Sequence, residues 1–441
     1  MPDPPDLIHD LASLAGANVG RDMHAFMAEL YPICRSISGA GLRETLNAIG
    51  ERIPLEISEV PTGTEVFDWT IPREWNVREA WVRGPDGEKV VDFCDSNLHV
   101  VSYSTPVHRK LSLEDLQEHL FSLPEHPEWI PYRTSYYREF WGFCLAHRQR
   151  EALAAGTYEV FIDSTLEDGS LSYAECVLPG RSDEEILVSC HTCHPSTCND
   201  NLSGVALVTF LASLLRELPL RYTYRFLFNP GGIGSIAWLS RNEERLERIR
   251  HGLVAVCVGD PGSLTYKRSR RENADVDRAA LHVLERSGAD HQVIDFSPYG
   301  YDERNFSSPA FDLPVGSLSR STHTRYAEYH TSADDLDFVR PEFLADSLEK
   351  YLSIIEVLEQ NRRYLSLSPK GEPQLGKRGL YAPMGGLQDR FASEVAMLWI
   401  LNYADGHHDL LDVARKSRLE MADLHSAAVA LCEHGLLEEL G

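Results

Sequence analysis

The stretch Ser189-Cys190-His191-Thr192-Cys193-His194-Pro195-Ser196-Thr197-Cys198-Asn199-Asp200-Asn201-Leu202-Ser203-Gly204 constrains this chain more than any other. It follows Ile186-Leu187-Val188, a short apolar run that reads as a buried strand. It precedes Val205 to Leu218, an apolar run long enough for a helix. Strand, loop and helix in that order belong to an open α/β sheet, whose ligands gather beyond the carboxyl ends of the strands. A His leaving the strand and an Asp entering the helix put two metal-type donors at that edge.

The neighbouring segments extend the pattern. Strands are expected at Tyr158–Ile162, Ser172–Val177, Ile186–Ser189, Tyr224–Phe228 and Val254–Val258, with helices over 203–217 and 234–247. That alternation is the rhythm of an α/β sheet. Residues from about 20 to 50 read as helical. Residues 66 to about 135 carry short β-type runs, aromatics and turn signals, and form a small β-rich unit. Ser366 to Gly386 reads as a linker, followed by three short helices and a wing starting at Gly435-Leu436-Leu437. With 441 residues, two or three domains are expected.

Charge and cysteine usage exclude some roles. The chain has 67 Asp and Glu against 42 Lys and Arg, for a net charge of −25. Such a balance opposes nucleic-acid binding, which draws on Lys and Arg against phosphates. A winged helix suggests DNA, yet residues 386–441 hold ten acidic side chains against four basic ones. No apolar stretch reaches the roughly 18 residues of a membrane span. Met1-Pro2-Asp3-Pro4-Pro5-Asp6 lacks the basic and apolar parts of a signal peptide. The nine cysteines are an odd count and are expected as reduced thiols, with the cytoplasm as the compartment.

Two more segments complete a constellation. Val256-Cys257-Val258-Gly259-Asp260 ends a strand on an Asp, and Tyr329-His330-Thr331-Ser332-Ala333-Asp334-Asp335 places a His on a loop before two carboxylates. Together the set resembles the M28-type zinc aminopeptidase family. That family uses a strand-end His, a bridging Asp in an Asn-Asp-Asn-x-Ser-Gly context, a Glu-Glu pair, a strand-end Asp and a late His-Thr. On that resemblance the metal ligands are His191, Asp200, Asp260 and His330.

A bacterial subgroup with a DUF4910/DUF2172 architecture resembles the chain more closely, through Leu30 to Gly39, Pro131 to Tyr137, the Cys-His-Thr-Cys-His-Pro stretch and Glu328 to Asp334. The resemblance covers nearly the whole chain. It implies an aminopeptidase-like mixed sheet flanked by helices, built from 1–65 and 156–365, with an inserted β-rich domain over 66–155 and a winged-helix-like domain over 386–441.

One departure bears on function. Where the family carries Glu-Glu, as general base and metal ligand, this chain reads Pro230-Gly231-Gly232-Ile233. His191, Asp200 and Asp260 would still hold one zinc with an open position, while a second position keeps only Asp200 and His330. From family position, Glu303 is the first candidate for a replacement base and Asp302 the second. Asp334 is expected to hold His330 by a hydrogen bond, and Arg304 and Tyr301 to bind a substrate carboxylate or amide. His194 is either a site residue or a hydrogen-bonded loop His. Cys193 stands where the family often has an Asp, and would be the best bearer of a reactive thiol.

A zinc knuckle of Cys190, Cys193, Cys198 and His194 lacks the usual paired spacing. Gly231-Gly232 as a phosphate cradle lacks the Lys that should follow. These features imply a metal-dependent hydrolase acting on an amide or peptide-like bond of a small-molecule or short peptide-like substrate. No nucleic acid and no membrane is expected as a partner, and self-association is left open. The alternative is a catalytically inactive scaffold used for binding or regulation.

Overall fold

The computed structural model describes residues 10–380 and 388–440. Its centre is a mixed sheet of eight strands. Their spatial order is Glu56–Pro61, Ser170–Leu178, Thr223–Asn229, Glu185–His191, Ile249–Ala255, Val315–Ser319, Leu264–Lys267 and His291–Ile294. The four middle strands run parallel, and antiparallel partners flank them. Every residue of Glu185–His191 is buried, as a strand covered on both faces requires.

The apolar run after the Asp200 loop forms the helix Ser203–Leu215, with ten of its residues buried. By length and composition Cys198–Leu215 would also suit a membrane span, contrary to the expectation that no stretch reaches that length. Here 83% of it is buried in the core. The region over 20–50 is two helices, Val19–Leu30 and Ala40–Gly50, parted by the loop that carries Arg35. The long helix Pro341–Gln360 packs against Val19–Leu30 and Ser203–Leu215.

The small sheet has the order Lys89–Asp92, Glu74–Arg83, Thr157–Glu167 and Val107–Ser112. The strand expected over Tyr158–Ile162 is therefore not part of the α/β alternation. Its eleven-residue form pairs with Glu74–Arg83 and Val107–Ser112, so the small unit closes after residue 167 rather than 155.

At the other end, Arg363–Ser366 is the central strand of a three-stranded sheet, between Asp405–Asp409 and Leu437–Leu440. The winged-helix unit thus draws its first strand from residues ahead of 386, the boundary expected from sequence. Of the expected linker, the part up to residue 380 is described, and 381–386 lies outside the described residues.

Candidate metal centre

Asp200 is the hub of the site. The turn Cys198–Leu202 carries it between the strand Glu185–His191 and the helix Ser203–Leu215, with no exposed surface. Its Oδ1 lies 2.9 Å from Nε2 of His191, the last residue of the strand. Its Oδ2 lies 2.9 Å from Nε2 of His330 and 3.2 Å from Nδ1 of His194. Three imidazoles from two chain segments thus converge on one carboxylate.

Several contacts fix this arrangement. Asp334, fully buried, accepts the N–H groups of Cys198, Asn199 and Asp200. It therefore fastens the Asp200 turn, and not His330 as the sequence suggested. Arg35 is 1% exposed and donates from Nε to the carbonyl of His194 at 2.9 Å. The small β-rich unit reaches across to the His330 loop. The N–H of Tyr132 bonds the carbonyl of His330 at 2.8 Å, and the N–H of Ser332 bonds the carbonyl of Ile130 at 2.8 Å. An aromatic wall completes the surround. Tyr301 stacks on His191, Tyr329 stacks on His330, and Tyr132 meets His194 and His330 edge-on.

Charge is concentrated here. Burial alone would raise Asp200, but the imidazoles of His194 and His191 hold its carboxyl well below the usual range. His194 rises well above its usual value against burial, because Asp200 and Cys193 face it. At His330 burial wins and the value falls. Cys193 is lowered: burial opposes this, and the His194 imidazole overrides burial. Burial pushes Asp334 up to about 8 despite its three backbone donors.

The donor set fits a zinc-type cation. Zinc favours imidazole nitrogen and carboxylate oxygen at about 2.0 Å, which separates tetrahedral ligand atoms by roughly 3.3 Å. The His-to-Asp200 separations of 2.9–3.2 Å are close to that figure. The donor atoms of His191, His194 and Asp200 all lie within 4.8 Å of one another.

Three expected residues stand elsewhere. Asp260 closes a turn: its carboxylate accepts the N–H of Gly262 at 2.7 Å, the hydroxyl of Ser321 at 2.6 Å and the side-chain amide of Asn199 at 2.8 Å. With its oxygens so occupied it is not brought to the histidines, and its expected place as a ligand is corrected. The strand ends at Ala255, and Cys257 at φ 51° turns the chain. The Cys257 thiol lies 3.3 Å from the Tyr301 hydroxyl, in the wall of the site.

Glu303 is fully buried in an ion pair with Lys267, Nζ to Oε1 at 2.8 Å, and accepts the N–H of Tyr301. A carboxylate so engaged is not poised to take a proton beside Asp200, which corrects the first candidate base. Asp302 braces the Gly231-Gly232 turn, accepting the N–H of Gly232 at 2.8 Å and the Ser235 hydroxyl at 2.9 Å. Both bonds fall on Oδ1, while its Oδ2 is buried and has no hydrogen-bond partner among the described residues. Cys193 does sit at the centre, accepting the N–H of Gly231 at 3.3 Å, and Tyr301 and His194 are also in place. Tyr132 and Tyr329 were missed, although Tyr132 lies in an aromatic-rich segment that stood out in the sequence.

Residues 24–361 match the family described as DUF4910, a domain of unknown function. The chain belongs to the DUF4910 family. Residues 362–439 match a winged helix-turn-helix family. A Clostridium acetobutylicum relative is 52% identical over 422 residues, covering 96% of this chain and 97% of its own. Its provisional name is a polysaccharide biosynthesis protein with an aminopeptidase-like domain.

A crystal structure from C. acetobutylicum, provisionally described as a peptidase, aligns at TM-score 0.91 with 50% identity over 98% of each chain. The zinc aminopeptidase BSAP of Bacillus subtilis aligns at TM-score 0.58 and 13% identity, covering 76% of this DUF4910 chain and 94% of that one. A peptidase M28 precursor from Shewanella amazonensis gives 0.57 and 15%, covering 79% and 95%. The DUF4910 region therefore has the aminopeptidase-like fold.

Proposed function

We propose that this DUF4910 protein is a zinc-dependent hydrolase of the aminopeptidase type, acting on an amide or peptide-like bond of a small substrate. The observation that carries the proposal is the convergence of His191, His330 and His194 on the two oxygens of Asp200. Asp200, His191 and His330, with His194 beside them, would hold the metal. A zinc bound there supplies Lewis acidity to a carbonyl oxygen and acidifies a water toward neutral pH.

The chain's own residues set the rest. A cavity of about 430 Å³ opens beside Gly231 and is lined by Trp69, Tyr136, Tyr137, Gly232 and Arg304. The aromatic faces suit an apolar side chain or ring. Arg304 is exposed and makes no ion pair among the described residues, so it is free to take a substrate carboxylate. Gly231 lies against His191 and Cys193, and offers no side chain to accept a proton. A general base typically adds about 10² to 10⁴-fold, so turnover here runs slower than in a relative that keeps a carboxylate at this place.

The glycines also favour a second reading, a metal-holding scaffold that binds a ligand without cleaving it. Hydrolysis of a panel of short peptides and aminoacyl amides, before and after chelation and zinc return, separates the two. The hydrolase reading expects slow turnover, lost on chelation and restored by zinc. Turnover indifferent to chelation overturns it, and zinc retained without any turnover establishes the scaffold.

A further inference from the structure

A second cavity, of about 560 Å³, lies at the opposite edge of the large sheet. Its walls come from residues just before or at the starts of the parallel strands, such as Tyr222 and His251, and from the first strand of the winged-helix unit. His191 ends the strand that Glu184 precedes. Seven residues at about 3.3 Å each put the two sites roughly 20 Å apart.

This cavity reverses the charge of the molecule. Arg221, Arg250, Arg271, Arg362 and Arg363 line it, in a chain whose net charge is −25. Its three carboxylates are already engaged. Asp275 and Asp409 each bond Arg278 at 2.7 Å, and Glu184 bonds Arg250 at 2.8 Å. Arg362 and Arg271 also have carboxylate partners, Glu439 at 3.0 Å and Asp312 at 3.5 Å, whereas among the described residues no carboxylate pairs with Arg221 or Arg363. Arg221 and Arg362 both donate from Nη1 to the carbonyl of Asn361 at 3.0 Å, so two guanidinium groups stand side by side. Burial and the neighbouring Arg221 both hold Arg362 below its usual value. Arg221 and Arg363 are thus two guanidinium groups without a counter-charge in one pocket, a cost that an anion would relieve.

His251 supplies an independent sign. It is 6% exposed, and its Nε2 lies 3.3 Å from the Tyr222 hydroxyl. Its Nδ1 is buried without a hydrogen-bond partner. In either tautomer of the ring, Nδ1 is left without a partner. A buried polar atom left unmet costs about 1–3 kcal/mol.

We infer that this cavity binds a small phosphorylated molecule through its phosphate. Planar guanidinium forks suit phosphate oxygens, the unmet Nδ1 donates to one of them in the tautomer that carries its hydrogen, and the volume exceeds that of phosphate alone. Arg221 and Arg250 belong to the large-sheet unit and Arg363 to the winged-helix sheet, so a bound ligand ties the two together.

The test is calorimetric titration of the full chain with inorganic pyrophosphate in about 0.15 M salt, where long-range attraction is screened. Binding tighter than about 1 mM is expected, weakened by about tenfold or more in Arg221→Met and in Arg363→Glu. Arg363 is exposed and pairs with no carboxylate among the described residues, so the second variant stays informative if the first misfolds. No binding in the wild type overturns the proposal. So does binding that both arginine variants retain and His191→Ala loses, which places the anion at the metal edge.

Discussion

Replacing Gly231 with Glu tests how the missing carboxylate limits this protein. Gly231 does not have positive φ, whereas Gly232 sits at φ +69°. A Cβ built on Gly231 meets the Cβ of His191 at 3.4 Å and the Sγ of Cys193 at 3.6 Å, ordinary contact distances. A Cβ at 231 therefore fits without backbone strain, and it lies against the imidazole that bonds Asp200.

If a general base is what the site lacks, the gain is about 10²-fold or more in kcat/KM, close to 2.7 kcal/mol of barrier. Aminoacyl-anilide hydrolysis by zinc-loaded Gly231→Glu, beside wild type and Gly231→Gln, measures it. Gly231→Gln should stay at the wild-type rate, since an amide has the shape but not the basicity. Gly232→Glu should lose stability by about 1 kcal/mol or more through its left-handed backbone and gain no activity. A folded, zinc-loaded Gly231→Glu no faster than Gly231→Gln would refute the reasoning.

Other outcomes follow from particular contacts. Asp334→Ala leaves the buried N–H groups of Asn199 and Asp200 without their acceptor, while that of Cys198 keeps the backbone carbonyl of residue 334; at about 1–3 kcal/mol each it should destabilise by about 2 kcal/mol or more in urea titration. The conservative Asp334→Asn should recover part of that loss. Burial pushes His282 down to about 4, so between about 6.5 and 4 the unfolded chain takes up a proton that the folded chain refuses. Stability is full above about 6.5 and falls with acid by up to about 1.4 kcal/mol per pH unit. His282→Gln should flatten that slope by one proton in unfolding titrations run across the window. The full chain should show no salt-sensitive micromolar affinity for random duplex DNA, because the winged-helix region is acidic and has few counterions to release.

Much of the site could be read in the sequence because its donors sit at punctuation points. His191 ends an apolar run, Asp200 precedes another, and His330 stands beside a Thr on a polar loop. Asp260 misled because the apolar letters continue to Val258 while strand pairing stops at Ala255, and the positive φ of Cys257 leaves no mark in the letters. Glu303 misled for a different reason. Its partner Lys267 lies thirty-six residues earlier, on a strand that only tertiary structure brings alongside.

The fold shows the same division. The helices and middle strands of the large sheet follow from hydrophobic period. The allegiance of Thr157–Glu167 to the small sheet, and of Arg363–Ser366 to the winged-helix sheet, depends on pairing partners distant in sequence. Tyr132 reaches the histidines for the same reason: a backbone bond to His330 spans nearly two hundred residues.

Elemental analysis of purified full-length protein, grown with zinc and then dialysed, tests the central claim most directly, with His191→Ala and Asp200→Ala alongside. The account predicts zinc close to stoichiometric in the wild type and lost from both variants, with Asp200→Ala the emptier because its two oxygens serve every histidine of the cluster. A folded wild type free of zinc, or full zinc retention in both variants, would contradict it.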